Sequence, residues 1–232
     1  VGSGITWDAA EAAEFQECLD KAAIVLAPAP PFDLLETLRR EDGAYWLLEE
    51  HLARLEASAR HFDYGFDREA VLAALESVPV ADARVRLTLG RAGAPEISHS
   101  PLDAPRDSET WRVALATAPV RKSDPFLYHK TTQRGVYAQA LASRPGVDDV
   151  ILFNEAGELT ETTKANLCVV IGGRVLTPAR ACGLLGGTHR ARLLREGKIE
   201  EAILRREDLA RAEEIFLLNS VRGRIAVQWV DE

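Results

Sequence analysis

Lys130 stands in the run Tyr128-His129-Lys130-Thr131-Thr132-Gln133-Arg134, and Glu161-Thr162-Thr163-Lys164-Ala165-Asn166 follows about thirty residues later. A neutral lysine amine can condense with an aldehyde and, once displaced, can carry a proton. A carboxylate can keep a pyridine nitrogen protonated and so make a carbonyl cofactor a strong electron sink. The two together suggest a Schiff-base enzyme, with Lys130 at a strand-to-helix junction. Glu161 is expected just before a buried strand that runs from Leu167 to Ile171. Each residue also has a plainer reading. Lys130 alone is a solvated surface lysine, and Glu161 alone is a hairpin glutamate paired with Lys164.

A phosphate-bearing cofactor needs a cradle. Gly186-Gly187-Thr188 opens an expected helix with free backbone N–H groups, a hydroxyl and the positive end of a helix dipole. Arg54 lies off the apolar stripe of its helix and can hold a phosphate bidentately. Ser220 follows a strand at the carboxyl end, where ligands of α/β folds gather. Singly these signals are weak, because glycines open many helices, arginines face solvent and serines fill turns. The five histidines show neither metal-ligand spacing nor a nucleophile motif, and no Walker loop or dinucleotide fingerprint is present. No metal is expected.

Composition narrows the class. A chain of 232 residues, 47% of them hydrophobic, can bury a full core. A net charge of -8 argues against nucleic acid or an anionic membrane as partner. Cys18, Cys168 and Cys182 are unclustered, which suggests neither disulfides nor zinc and makes a reduced, cytoplasmic setting the expectation. No apolar run reaches membrane-spanning length. The chain has no methionine and begins at Val1, which suggests a piece of a longer polypeptide.

These residues need elements to position them. The pattern predicts a helix from Asp8 to Val25, a linker at Pro28–Pro31, and a hairpin of Phe32–Arg39 and Tyr45–Leu48. A helix follows over Glu49–Phe62 with Leu52, Leu55, Ala59 and Phe62 as its stripe, then one capped by Asp67. Strands are expected at Arg84–Leu89 and Trp111–Ala118, with Gly90–Ser108 as loop. Beyond Pro119 the pattern predicts helices at Thr131–Ser143, Thr188–Glu196 and Arg206–Ala212. Strands are expected at Val150–Asn154, Leu167–Ile171, Val175–Thr177, Ile215–Leu218 and Ile225–Val230. The fold class is α/β (α+β mixed), in two lobes spanning 32–118 and 119–232.

With these positions gathered, the chain resembles the fold-type IV, or class IV aminotransferase, family of pyridoxal-phosphate enzymes. The resemblance rests on Phe32-Asp33-Leu34-Leu35-Glu36-Thr37, Glu50-His51-Leu52-Ala53-Arg54-Leu55, His129-Lys130-Thr131-Thr132 and Asn154 to Glu161. It continues through Thr177-Pro178, Gly183 to Arg190, and Asn219-Ser220-Val221-Arg222-Gly223. It implies a two-lobed architecture like that of the D-amino acid aminotransferases and a homodimer with sites near the interface. It also implies pyridoxal 5'-phosphate held at Arg54, Lys130, Glu161, Asn166, Gly187, Thr188 and Ser220. In that reading Lys130 is the Schiff-base lysine, Glu161 partners the ring nitrogen, and Arg54, the Gly187-Thr188 backbone and Ser220 hold the phosphate. The nearest branch is the 4-amino-4-deoxychorismate lyases, which eliminate pyruvate to give 4-aminobenzoate, a folate precursor. Arg134 and Arg222 are the candidates for the substrate's carboxylates.

Residues 1–27 resemble the C-terminal end of a chorismate-binding aminodeoxychorismate synthase component I, which implies an upstream synthase domain fused through residues 28–31. Gly186 departs from the family, which commonly has proline there. Two rivals remain open: a branched-chain or D-amino acid aminotransferase on the same cofactor site, and a non-catalytic scaffold for the fused synthase.

Overall fold

A computed structural model describes residues 31–102 and 110–230. The expected helix at Asp8–Val25, the remnant at 1–27 and most of the proline linker lie outside the described residues.

The first part is a four-stranded antiparallel sheet carrying two helices. Its elements are β1 (Leu34–Glu41), β2 (Ala44–Tyr45), α1 (Leu48–Phe62), α2 (Arg68–Glu76), β3 (Ala83–Leu89) and β4 (Pro95–Ser100), with strand order β2-β1-β3-β4. Side chains of a strand alternate between faces, so β1 has two jobs. Leu34, Glu36 and Leu38 are buried on the face toward α1, where Glu36 meets His51 and Arg54. Leu35 and Thr37 point the other way, into a cavity. β3 repeats the alternation: Val85, Leu87 and Leu89 are buried, while Arg84 and Arg86 line the same cavity. Leu52, Leu55 and Ala59 of the expected stripe are buried in α1, and truncating one such leucine to alanine costs roughly 2–5 kcal/mol. Asp67 caps α2, its Oδ1 accepting the N–H groups of Glu69 and Ala70.

The second part is a closed ring. It comprises β5 (Trp111–Leu115), α3 (Gly135–Ala142), β6 (Asp149–Phe153), β7 (Leu159–Thr162), β8 (Asn166–Ile171) and β9 (Arg174–Pro178). α4 (Thr188–Arg195), β10 (Glu200–Ala202), α5 (Arg206–Arg211), β11 (Glu214–Asn219) and β12 (Gly223–Trp229) complete it. The strand order is β10-β9-β8-β11-β12-β5-β6-β7, and β7 pairs back to β8, so six strands form a barrel with β9 and β10 as an extension. Closure removes the free edges of those six strands, and β10, which pairs with β9, ends the extension. Leu217, Ile151, Leu167 and Val169 fill the interior, while Cys168, Phe216 and Leu218 face outward in a cluster joined by Leu193 and Leu194 of α4. β5–β6 and β9–β10 are parallel pairs, and parallel pairs need crossovers. The first crossover carries Lys130 and α3, and the second carries Gly187, Thr188 and α4.

Three expectations are corrected and one is extended. Tyr45–Leu48 is not a full strand: β2 stops at Tyr45, Leu47 takes a positive φ of 58°, and Leu48 already begins α1. Within the expected loop 90–108, Pro95–Ser100 forms β4. It pairs with β3 alone, an edge position where proline needs no ladder partner. Helix α3 starts at Gly135 rather than Thr131, because Thr131 bridges to Leu34 and Thr132 Oγ1 accepts the Asp33 N–H. Glu161 does precede the buried strand β8, but it also lies within a strand of its own, β7, that the pattern does not give. Among the described residues no helix is long and apolar enough to cross a membrane.

Candidate active site

A cavity of about 440 Å³ lies between the four-stranded sheet and the barrel. Arg54, Lys130, Arg134, Glu161, Asn166, Gly187, Thr188, Ser220 and Arg222 all line it. The geometry therefore gathers every site residue expected from the sequence, although they come from five separate stretches of chain.

Lys130 does not follow a strand directly. A 3₁₀ turn at Pro125–Leu127 precedes it, and its carbonyl accepts the Leu35 N–H at 2.9 Å, so the segment is pinned along β1. Burial lowers its amine to about 8, and the Arg54 and Arg134 guanidinium groups push in the same direction while Glu36 and Glu161 oppose. Such an amine is neutral in a useful fraction near neutral pH.

Glu161 and Asn166 are register partners where β7 meets β8, the point of barrel closure. Tyr137 Oη donates to Glu161 Oε1 at 2.9 Å, Leu185 N–H donates to the same oxygen at 3.1 Å, and Asn166 Nδ2 donates to Oε2 at 3.2 Å. Burial nevertheless raises this carboxyl to about 7, against the pull of the Leu185 N–H, Tyr137, Arg134 and Lys130. Asn166 Nδ2 also donates to Leu185 O at 2.8 Å, which ties the acid to the loop before α4.

That loop approaches closely. A Cβ on Gly187 would fall 1.9 Å from Asn166 Oδ1, so only glycine fits. The neighbouring Gly186 has its carbonyl held by Arg54 Nη1 at 3.2 Å. Arg54 itself is clamped by Glu36, with Nε to Oε1 at 2.8 Å and Nη2 to Oε2 at 2.6 Å. Ser220 Oγ donates to Thr37 O at 3.3 Å across the two sheets. Arg134 donates to Thr163 O and lies 4.3 Å from the Tyr137 ring centre.

Sequence reasoning missed several participants. Tyr137 reads as an ordinary aromatic of a short helix, yet it bonds the site's acid. Arg84 and Arg86 fall in the expected strand Arg84–Leu89 with no role assigned to them, yet their face of it is the cavity wall. Their alternation with Val85 and Leu87 was legible; which face meets the barrel was not. Glu36 and His51 lie in matched motifs but gain meaning only when β1 packs on α1.

Comparisons agree with this geometry. The profile described as amino-transferase class IV matches residues 33–229. A Schizosaccharomyces pombe protein named "Putative aminodeoxychorismate lyase" is 31% identical over 78% of this chain and 83% of its own length. The crystal structure of a "Putative amino-acid aminotransferase" from Mesorhizobium loti has a TM-score of 0.80 at 35% identity, covering 86% of this chain and 100% of that one. The 4-amino-4-deoxychorismate lyase of Pseudomonas aeruginosa has a TM-score of 0.74 at 26% identity, covering 86% and 83%. The chain belongs to the class IV aminotransferase family of fold-type IV enzymes, whose cofactor is pyridoxal 5'-phosphate.

Proposed function

We propose that this protein is a pyridoxal-phosphate-dependent 4-amino-4-deoxychorismate lyase, releasing pyruvate and leaving 4-aminobenzoate for folate synthesis. The cavity fits the cofactor on its own terms. A buried acid faces in from one wall, an amine lowered to about 8 lines the same space, and a glycine loop too tight for any Cβ opens α4 beside a clamped arginine. Arg54, the Gly187-Thr188 backbone and Ser220 would hold the phosphate, Glu161 the ring nitrogen and Lys130 the carbonyl. Bound there, the cofactor supplies an electron sink for the substrate carbon that bears the amine.

The rest is work for the chain's own side chains. Lys130 Nζ takes the proton from that ring carbon, its depressed basicity keeping it free to accept. Asn166 and Tyr137 orient the Glu161 carboxylate through the hydrogen bonds already present. The observation that carries the lyase reading is the charge of the mouth: Arg84, Arg86, Arg134, Lys164 and Arg222 line one cavity in which Glu161 is the one lining acid among the described residues. A substrate with two carboxylates suits that surface better than a branched aliphatic side chain does. Aromatisation of the ring drives the elimination forward.

The test is pyruvate release from 4-amino-4-deoxychorismate by cofactor-loaded protein. Lys130→Ala is expected to lose about 10²–10⁴-fold in rate, the usual worth of a positioned acid–base group. Cofactor-bound protein that releases no pyruvate would defeat the lyase reading. The likeness to the Mesorhizobium loti structure keeps one second reading, amino transfer, and keto-acid-dependent transfer in the same preparation would establish it. A homodimer and a fused upstream synthase domain are part of the proposal. Sedimentation would test the first and the full-length polypeptide the second.

A further inference from the structure

Glu36, His51 and Thr188 form a buried hydrogen-bonded line that the chemistry above does not use. His51 Nδ1 lies 2.7 Å from Glu36 Oε2, and His51 Nε2 lies 3.3 Å from Thr188 Oγ1. The three residues are 2%, 1% and 3% exposed. Although burial alone would raise it, Glu36 is held at about 2 by Arg54 and His51. A carboxylate only accepts, so the proton of its bond to His51 sits on Nδ1. With the imidazole neutral, Nε2 is bare, and the Thr188 hydroxyl must donate to it. The Thr188 oxygen then has only lone pairs to offer the cavity it lines.

A phosphate needs donors. Turning the Thr188 hydroxyl toward a phosphate while His51 stays neutral would strand a buried acceptor at Nε2. A proton on Nε2 removes the conflict. Nε2–H then donates to Thr188 Oγ1, and the hydroxyl hydrogen is released toward the phosphate.

We propose that His51 is a positioning residue of the phosphate cradle: seating a phosphate monoester dianion at Thr188 draws one proton from solvent onto His51 Nε2, with Glu36 fixing the tautomer. No covalent bond changes. One proton leaves water, and one unit of the phosphate's charge is balanced. The inference rests on placing the cofactor's phosphate at Arg54, Gly187 and Thr188. The charged groups facing His51 are Glu36 from β1, Arg54 from its own helix and Lys130 from the segment before α3. Burial first, then Arg54 and Lys130, hold the imidazole below its ordinary 6.5, while Glu36 favours its charge. His51 is thus neutral in the free protein near pH 7, and an added dianion is what shifts the balance.

The probe is pyridoxine 5'-phosphate, a phosphate monoester without an aldehyde, with pyridoxine as its phosphate-free partner, added to the whole chain near pH 7. Nitrogen NMR reports the His51 ring, assigned by its loss in His51→Gln. Calorimetry in buffers of different ionisation enthalpy counts protons. The expected result is a His51 signal that moves from the neutral form to imidazolium with pyridoxine 5'-phosphate but not with pyridoxine. Uptake should approach about one proton per bound phosphate between the free-state and bound-state pKa values of His51; over that window the affinity should fall about tenfold per pH unit and then level off, a slope absent in His51→Gln. Phosphate binding that Thr188→Val weakens, with His51 still neutral and no proton taken up, would overturn the relay and leave the cradle standing. Binding unchanged by both Arg54→Gln and Thr188→Val would place the phosphate elsewhere and remove cradle and relay together. Should His51→Gln fail to fold, proton uptake by the wild-type chain alone decides.

Discussion

Burial drives Glu161 up to about 7 from an ordinary 4.5, although Leu185 N–H, Tyr137, Arg134 and Lys130 all favour its charge. The stability consequence has a definite sign. Between pH 4.5 and about 7 the folded protein holds a proton on Glu161 that the unfolded chain has released. Stability from this group is therefore complete below pH 4.5 and is lost as pH rises through 7, by an amount on the order of 3 kcal/mol. Glu161→Gln should flatten that slope in the cofactor-free protein. Its amide faces the Asn166 Nδ2 donor and so gives back roughly 1 kcal/mol as a lost hydrogen bond. Thermal unfolding across pH 4.5–7 checks the slope, and equal pH dependence in both proteins would refute the buried-charge account. Activity should move the other way, with Glu161→Gln losing turnover while gaining stability at neutral pH. Opposite signs for stability and function are expected where a buried charge is kept for chemistry.

The loop that opens α4 ties two elements together at one atom. Gly187→Ala must displace Asn166, whose Oδ1 lies 1.9 Å from where the new Cβ would sit. That shift would strain the bonds from Asn166 to both Glu161 and Leu185. Cofactor affinity, followed by absorbance titration, should fall at least about tenfold, equivalent to about 1.4 kcal/mol, and Tm of the cofactor-free protein should fall too, because the strained bonds are already present without the cofactor. Unchanged affinity would mean that the tight approach has no role. How much of this could be read from sequence differs by element. Glycine-rich helix starts, the Leu52-Leu55-Ala59 stripe and the Gly172-Gly173 hairpin are local patterns, and the structure contains all three. β4 was missed because its pairing partner, not its polar and proline-led sequence, makes it a strand. The start of α3 was missed because Thr131 and Thr132 are held by β1, about a hundred residues earlier. Barrel closure at Glu161–Asn166 is likewise a long-range fact. It explains why the site residues themselves were readable while the Tyr137 and Asn166 bonds that aim Glu161 were not.

Across the whole molecule, sign and place of charge are opposed. The chain carries a net -8, yet the cavity mouth gathers Arg84, Arg86, Arg134, Lys164 and Arg222. A net-negative body repels an anionic substrate at long range, whereas a cationic mouth captures it at short range. Added salt weakens both effects, and the shorter-range attraction decides whether capture succeeds. From about 0.01 M to about 0.1 M salt the screening length falls from about 30 Å to about 10 Å. Long-range repulsion is thus removed first, while the mouth still acts. Under the proposed function, kcat/KM for the dianionic substrate should hold or rise slightly over that range. Toward 1 M, where the length is about 3 Å, it should fall severalfold. kcat at saturating substrate should change little, because Lys130 and Glu161 sit behind the mouth in sheltered positions. A double Arg84→Gln, Arg86→Gln variant should raise KM and lose most of the high-salt decline, with kcat preserved. Salt titration of the initial rate at limiting and at saturating substrate separates these cases. If kcat/KM stays flat up to 1 M in the wild type, substrate capture does not depend on the cationic mouth, and the carboxylate contacts must be supplied from elsewhere.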